Sequence, residues 1–169
     1  MTLYSWGISK YIMKAVMAKL KINKYRAFIL SAFLWLAIDL LIKYFLPKSD
    51  LSEHIFIKNF LYFSVHTNSG VAFGIHIGYF IQLIVSAVIL YLLIYFGFKY
   101  LMSDDRNRFI NQALLGIIVG GAIGNMLNRI TLGYVIDYIV LRPLPIFNFA
   151  DIGITIGLIV LFLMTYNNK

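Results

Sequence analysis

Four long runs of apolar side chains, at residues 27–46, 79–98, 113–130 and 152–166, are separated by shorter stretches in which charges, amides and prolines collect. A helix rises about 1.5 Å per residue and needs roughly 20 residues to cross the hydrocarbon core of a bilayer. Each run therefore predicts one membrane-spanning helix, the fourth borrowing a few residues from its flanks. Residues 55–65 read differently. They are rich in β-branched and aromatic side chains but too short and interrupted to span, so they predict a strand or two lying over the helices. The pattern describes an all-α integral membrane protein: four transmembrane helices with a small extracytoplasmic β-sheet or loop region.

Composition makes the membrane assignment firm, since 61% of the residues are hydrophobic and only 13% are charged, far from a soluble average. A chain of 169 residues has room for a few spans and their loops, hence for one bundle over residues 27–169. Residues 1–26 form a basic cytoplasmic or interfacial extension. There Trp6, Tyr11, Ile12, Val16 and Leu20 alternate with lysines, as in a helix lying in the membrane interface. A plain basic tail, preceding a start at Met13 or Met17, explains the same residues. The first span is too long for a cleaved signal peptide and lacks a small-x-small exit, so it should remain in the mature protein.

The net charge of +8 comes from 15 basic and 7 acidic residues, and its placement says more than its size. With the N-terminus in the cytoplasm, that side holds Lys10, Lys14, Lys19, Lys21, Lys24, Arg26, Lys99, Arg106, Arg108 and Lys169. This inside excess predicts that both termini are cytoplasmic. It also argues against nucleic acid, because the basic residues flank apolar runs, where they orient spans and meet anionic lipid headgroups. Outer loops then cover residues 47–78 and 131–151, and a short turn at 99–112 faces the cytoplasm. There is no cysteine, which excludes disulfides, thiolate nucleophiles and Cys-ligated metals.

Several residues do not belong in plain spans. Gly116, Gly120 and Gly124 recur every four residues in the third span, and Gly153 and Gly157 do so in the fourth. Such faces let helix backbones approach closely in lipid, and they predict that the third and fourth spans pack together. Asn125, Asn128 and Arg129 gather at one end of the third span, where unpartnered polar groups would cost several kcal/mol. Asp39 and Lys43 stack on one face of the first span, with Asp39 roughly 10 Å inside its end by helical rise. An intrahelical salt bridge and a role near a polar site are both open for this pair.

The candidate chemistry lies in Asp137 and Asp151. Taken singly, Asp151 fits the N-cap of the fourth helix and Asp137 a solvated loop carboxylate. Together they sit at the edges of two spans on one surface, with 13 residues between them that include Pro143 and Pro145, a composition that turns the chain back. Two carboxylates held close do not both ionise cheaply, so the pair retains a proton near neutrality. One then serves as base toward water and the other as acid toward a peptide carbonyl.

Five motifs now stand in order: Asp39-x-x-x-Lys43, Asn68-Ser-Gly70-Val-Ala72-Phe73, Gly120-Gly-Ala-Ile-Gly124-Asn125-Met-Leu-Asn128-Arg129, Gly133-Tyr-Val-Ile-Asp137-Tyr138 and Phe147-Asn148-Phe-Ala-Asp151. Over about residues 27–166 the chain resembles lipoprotein signal peptidase, signal peptidase II. The resemblance implies a monomeric intramembrane aspartic endopeptidase of the bacterial cytoplasmic membrane, with its site near the extracytoplasmic surface. It would act on diacylglyceryl-modified prolipoproteins among the membrane lipids, cutting before the lipidated cysteine, with no cofactor and no metal. Asp137 and Asp151 would be catalytic. Asn68, Gly70, Asn125, Arg129 and Asn148 would line the site, while Asp39 and Lys43 would tie the first span and the outer loop to it.

The family usually carries an acidic residue where this chain has Asn128, so a salt bridge to Arg129 becomes a hydrogen bond at best. Gly70, Gly74 and Gly78 would let the outer loop hinge. Two other classes fit parts of the pattern. A proton-coupled carrier would use intramembrane acids but calls for an internal repeat, which the chain lacks. A non-catalytic relative would bind lipoprotein precursors without cleaving them.

Overall fold

The computed structural model describes residues 25–70, 78–101 and 108–166. The expected interfacial helix before the first span, the Val71-Ala72-Phe73 part of the second motif and the Gly74 hinge lie outside the described residues. The helices are α1 (Arg26–Phe45), α2 (Tyr79–Phe96), α3 (Arg108–Leu132) and α4 (Phe149–Tyr166). Three helical stretches, Arg26–Lys48, Tyr79–Lys99 and Arg108–Leu132, are long and apolar enough to cross a membrane, and α4 contributes the shorter apolar stretch Phe149–Met164.

Both flanks of the expected turn at 99–112 are helical: α2 continues as a π-helical segment, Gly97–Leu101, and α3 is described from Arg108 onward. Hydropathy cut α3 short because Asn111 and Gln112 are polar, yet both are buried inside the helix packing.

Helix α3 is the centre of the bundle: 56% of its apolar window is buried, against 17% for the first span and 11% for the second. The outer faces of α1 and α2 carry exposed Phe33, Leu41, Phe80 and Tyr91, the surface that lipid covers when helices span a bilayer.

The third and fourth spans pack together as expected, with Gly157 of α4 against Ile118 of α3, but the four-residue glycine face of α3 meets another helix. A methyl group on Gly120 would lie 2.5 Å from the Ala32 carbonyl oxygen of α1, and Gly116 and Gly124 meet Ser31 and Asp39 of the same helix. The four-residue glycine face therefore joins α3 to α1. Gly121, one position round, faces α4, where a Cβ would stand 2.7 Å from the Ala150 oxygen. A helix turns about 100° per residue, so neighbouring glycines serve different partners.

Helix α3 ends at Gly133, whose φ of +82° suits a residue without Cβ. Its N–H bonds to the Arg129 carbonyl at 3.0 Å, a left-handed cap. The chain then enters a three-stranded antiparallel sheet in the order β1 (Ile55–Ile57), β2 (Leu61–Asn68), β3 (Val135–Leu141). Strands over 55–65 were expected. The third was not, for residues 131–151 were read as an outer loop.

Asp137 is thus in a strand, not a solvated loop, and is only 4% exposed. Apolar residues occupy both faces of Val135–Leu141, a continuous run that period-two reading does not detect. After Leu141 the chain folds back, and Phe147 bridges Ile139 with N–H to oxygen distances of 3.1 and 2.8 Å.

Candidate active site

The fold-back delivers Asn148 to the start of α4, and the site is built around that helix end. Helices begin with backbone N–H groups that have no intrahelical acceptor. Here each finds a side chain. Asn148 Oδ1 accepts from the Asp151 amide at 3.1 Å, and Asp151 Oδ2 accepts from the Asn148 amide at 3.1 Å, a reciprocal capping box. The Phe149 amide donates to the Tyr138 hydroxyl at 3.1 Å, and the Ala150 amide to Asp39 Oδ1 at 3.0 Å. Asp151 was expected at the N-cap. It sits in the first turn, and Asn148 is the N-cap.

The same groups bind the carboxylates. Asn148 Nδ2 donates to Asp137 Oδ1 at 2.6 Å, and Asn68 Nδ2 to Asp137 Oδ2 at 2.8 Å. Strand pairing explains the second bond, because Asn68 of β2 lies two residues beyond His66, the partner of Asp137 in β3. Asp151 Oδ1 accepts from Asn125 Nδ2 at 2.8 Å. Every carboxylate oxygen of the two aspartates therefore holds one N–H, and Asn148 touches both residues.

Beneath them runs a buried ionic relay. Lys43 Nζ donates to Asp39 Oδ2 at 2.8 Å and to Asn125 Oδ1 at 2.7 Å. Asn125 Oδ1 also accepts from Asn148 Nδ2 at 3.1 Å. The ammonium fixes the orientation of the Asn125 amide, since a reversed amide would point N–H groups at Lys43. Asp39 and Lys43 form the intrahelical salt bridge, and their remaining bonds reach α4 and α3. Gly124 is required beneath this relay, because its missing side chain leaves room for the Asp39 carboxylate.

Arg129 Nη2 reaches the Gly70 carbonyl at 3.4 Å, while the Gly70 amide donates to Asn68 Oδ1 at 2.9 Å. The Arg129 Nε is buried without a partner among the described residues, and its charge acts on both Asp151 and Asp137. Asn128 makes no bond to Arg129 among those present. Its Oδ1 accepts from the Ile136 amide at 3.3 Å, so it anchors β3 to α3 and needs no negative charge to do so.

Burial raises the Asp137 carboxyl above the ordinary carboxylate range; the Asn68 hydrogen bond opposes this, and the charge of Asp151 adds to it. Burial likewise pushes the Tyr138 phenol up, which keeps it neutral as a cap. Among the described residues no three His, Cys, Asp or Glu come together as a metal-ligand set.

Two contributors were missed in the sequence. Tyr138 is 2% exposed and links β3 to α4; its position directly after Asp137 was visible, but nothing in the chain shows which way its hydroxyl points. Gln82 of α2, buried and polar, donates to the Ser69 carbonyl beside Gly70. A lone glutamine in an apolar span was the available signal.

Comparison with known proteins follows the same residues. Residues 31–167 match the family model described as signal peptidase (SPase) II. The lipoprotein signal peptidase of Moorella thermoacetica is 35% identical over 139 residues, covering 79% of this chain and 89% of that protein. That of Halothermothrix orenii is 36% identical over 127 residues, covering 73% and 83%. A bacterial membrane enzyme structure solved in meso at 2.3 Å superposes with a TM-score of 0.70 at 29% identity, over 83% of this chain and 88% of the other. A second, at 1.9 Å, gives 0.68 at 29% identity, over 84% and 94%.

Proposed function

The chain belongs to the signal peptidase II family, and from the paired aspartates Asp137 and Asp151 we propose that it is an aspartic endopeptidase. It is a multi-pass membrane peptidase that removes signal peptides from lipoproteins. Its substrates are prolipoproteins carrying diacylglycerol on the cysteine that follows the scissile bond.

The observation that carries this reading is Asn148, which donates to Asp137 from its side chain and to Asp151 from its backbone. One residue thereby holds two carboxylates in a common site. Charge balance supports a shared proton: Lys43 and Arg129 offset Asp39 and one further negative charge, and a buried cluster is least costly when neutral.

Asp137, whose carboxyl burial raises, is assigned the proton. Asp151 then takes a proton from water, whose oxygen attacks the carbonyl carbon before the lipidated cysteine while Asp137 protonates the carbonyl oxygen. Collapse of the tetrahedral intermediate breaks the C–N bond. Asp151 returns its proton to the leaving cysteine nitrogen, and a proton from the intermediate goes back to Asp137. Arg129, Gly70 and Asn68 lie at the edge of the pair, placed to hold the substrate backbone. Asp39 and Lys43 position α4 and Asn125 from below.

The remaining assignments rest on the distribution of charge and apolar length. Four spans, with α4 as the fourth, put both termini in the cytoplasm and the site near the extracytoplasmic face of the cytoplasmic membrane. The basic extension before the 27–169 peptidase domain stays on the inner side. A monomer is sufficient, because all the partners of the dyad come from one chain.

The test is cleavage of a diacylglyceryl-modified precursor by purified protein in detergent. Asp137→Asn and Asp151→Asn should each lose at least about 100-fold in rate while remaining folded, and full processing by either variant would remove the assignment. An unlipidated precursor should go uncut; equal cleavage of it would refute recognition of the acyl chains.

A further inference from the structure

On the topology proposed above, the positive-inside rule disfavours Lys and Arg on the outer side, yet five lie there: Lys43, Lys48, Lys58, Arg129 and Arg142. Three have identified partners. Lys43 is held in the buried relay and Arg129 bonds Gly70 beside the dyad. The Lys48 ammonium lies 3.3 Å above the Tyr44 ring. The other two, Lys58 and Arg142, are 84 positions apart and line one cavity of about 400 Å³, together with Ile55, Asn59 and Tyr62. Neither makes an ion pair among the described residues. Asp50 and Glu53, the acids of the neighbouring loop, do not line the cavity.

The cavity is formed by two turns locked side by side. At the end of β1, the Phe60 amide bonds the Ile57 carbonyl at 3.1 Å and Asn59 adopts a φ of +60°, a left-handed conformation that asparagine tolerates well. At the end of β3, the Arg142 amide bonds the Phe60 carbonyl at 3.0 Å. The two cations therefore stand together before any ligand arrives. Guanidinium, ammonium, amide and phenol supply N–H and O–H donors suited to the oxygens of a phosphate ester.

The two turns and the strand ends beside them also expose apolar side chains, Phe56, Ile57, Phe60 and Leu144. A cationic hollow on a surface that exposes aromatic and aliphatic side chains fits the boundary between headgroups and acyl chains. Free phosphate has no use for those side chains, whereas a phospholipid does.

We propose that the cavity lined by Lys58, Asn59, Tyr62 and Arg142 binds the headgroup phosphate of an anionic phospholipid in the outer leaflet. The bound lipid ties the sheet to the membrane surface. Because Arg142 directly follows β3, which carries Asp137, and Tyr62 belongs to β2, which carries Asn68, the lipid also steadies the strands that present the dyad. This inference rests on the outer placement of the sheet, but its test does not require cleavage.

The experiment titrates delipidated protein in detergent with short-chain phosphatidylglycerol, phosphatidylcholine or inorganic phosphate and follows the unfolding temperature. Wild type should respond to phosphatidylglycerol at lower concentrations than to phosphatidylcholine. Each cation removed should weaken the phosphatidylglycerol response by about fivefold, so Lys58→Gln/Arg142→Gln should no longer distinguish the two lipids. Retention of the preference in that variant would overturn the proposal. So would an equal response of wild type to inorganic phosphate, which would mark a free-anion site.

Arg142→Lys keeps the charge and should keep the preference. If the double variant does not fold, Lys58→Gln alone, in a surface turn, carries the test through its fivefold shift. Cleavage of a detergent-solubilised precursor by the charge variants should stay within about twofold of wild type. A wild type that binds the lipid but does not cleave would count against the peptidase reading and leave this one standing.

Discussion

At the end of the bundle that carries the sheet, Asp39, Lys43, Asn125, Asp137 and Asn148 are all buried and joined by hydrogen bonds. Toward the other end, α2, α3 and α4 leave an apolar cavity of about 520 Å³, lined by Ile89, Leu93, Leu115, Ile118, Leu158 and Phe162 among others. The two regions share the same helices and differ in what specifies them. In the polar region each atom has a direction as well as a place, and removing one partner strands another in a low-dielectric interior. In the apolar region contact is nondirectional, and the hollow opens at the apolar surface, where Ile89, Leu158 and Phe162 are exposed. The proposed chemistry sits where the structure is least tolerant.

The sharpest way to test that contrast is Asn148→Ala. It removes the cap of α4 and a bond to each of Asp137, Asn125 and the Asp151 amide, so stability should fall by about 2–4 kcal/mol. Cleavage should fall by about 100-fold or more, measured at a temperature where the variant is folded. Near-normal turnover would mean that the dyad is positioned by something else.

The pH dependence gives a second test, with a definite sign. The folded state raises the Asp137 carboxyl, so it binds a proton more tightly than the unfolded chain does. The stability contributed by this group is present at low pH and is lost as pH rises from about 4, the ordinary aspartate value, through the raised value. Relative to Asp137→Asn, wild type should lose stability over that interval, by at most about 1.4 kcal/mol per pH unit. Turnover should fall as pH rises through the raised value, where Asp137 no longer holds its proton. A pH-independent difference in stability would contradict the burial argument.

Tyr138→Phe is a smaller change. It leaves the ring in place and orphans the Phe149 amide, at a cost of about 1–2 kcal/mol, and turnover should drop by about three- to tenfold as the start of α4 loosens. The smallest effect belongs to the apolar region. Leu93→Ala enlarges an existing cavity, and kcat should stay within about twofold. A tenfold fall there would erase the distinction between the two ends.

Much of this was legible in the chain. Four apolar runs predicted four helices, of which three are long and apolar enough to cross a membrane and the fourth is shorter, and the polar residues that hydropathy could not explain, Asp39, Lys43, Asn125, Arg129 and Asn148, are the ones found around the aspartates. Two details came out differently for a common reason. The third and fourth spans do pack together, through Gly121 and Gly157, but the four-residue glycine face of α3 meets α1; and Asp137, read in a loop, lies in a buried strand. Periodicity reports which residues share a face. It does not say which element meets that face, nor does it separate a strand buried on both sides from an apolar loop.

Sequence alone determined the membrane character and the helix count within one short segment, and it singled out the two carboxylates proposed as the dyad, because these depend on local hydrophobicity and on residue type. Only the tertiary structure decided that one asparagine serves both aspartates, that an aspartate from α1 and a tyrosine from β3 cap α4, and that Gly124 leaves room for Asp39. Those facts depend on directions and distances between segments 11 to 111 residues apart. A hydrogen bond is satisfied within a few tenths of an ångström, and only the packed helices set that position.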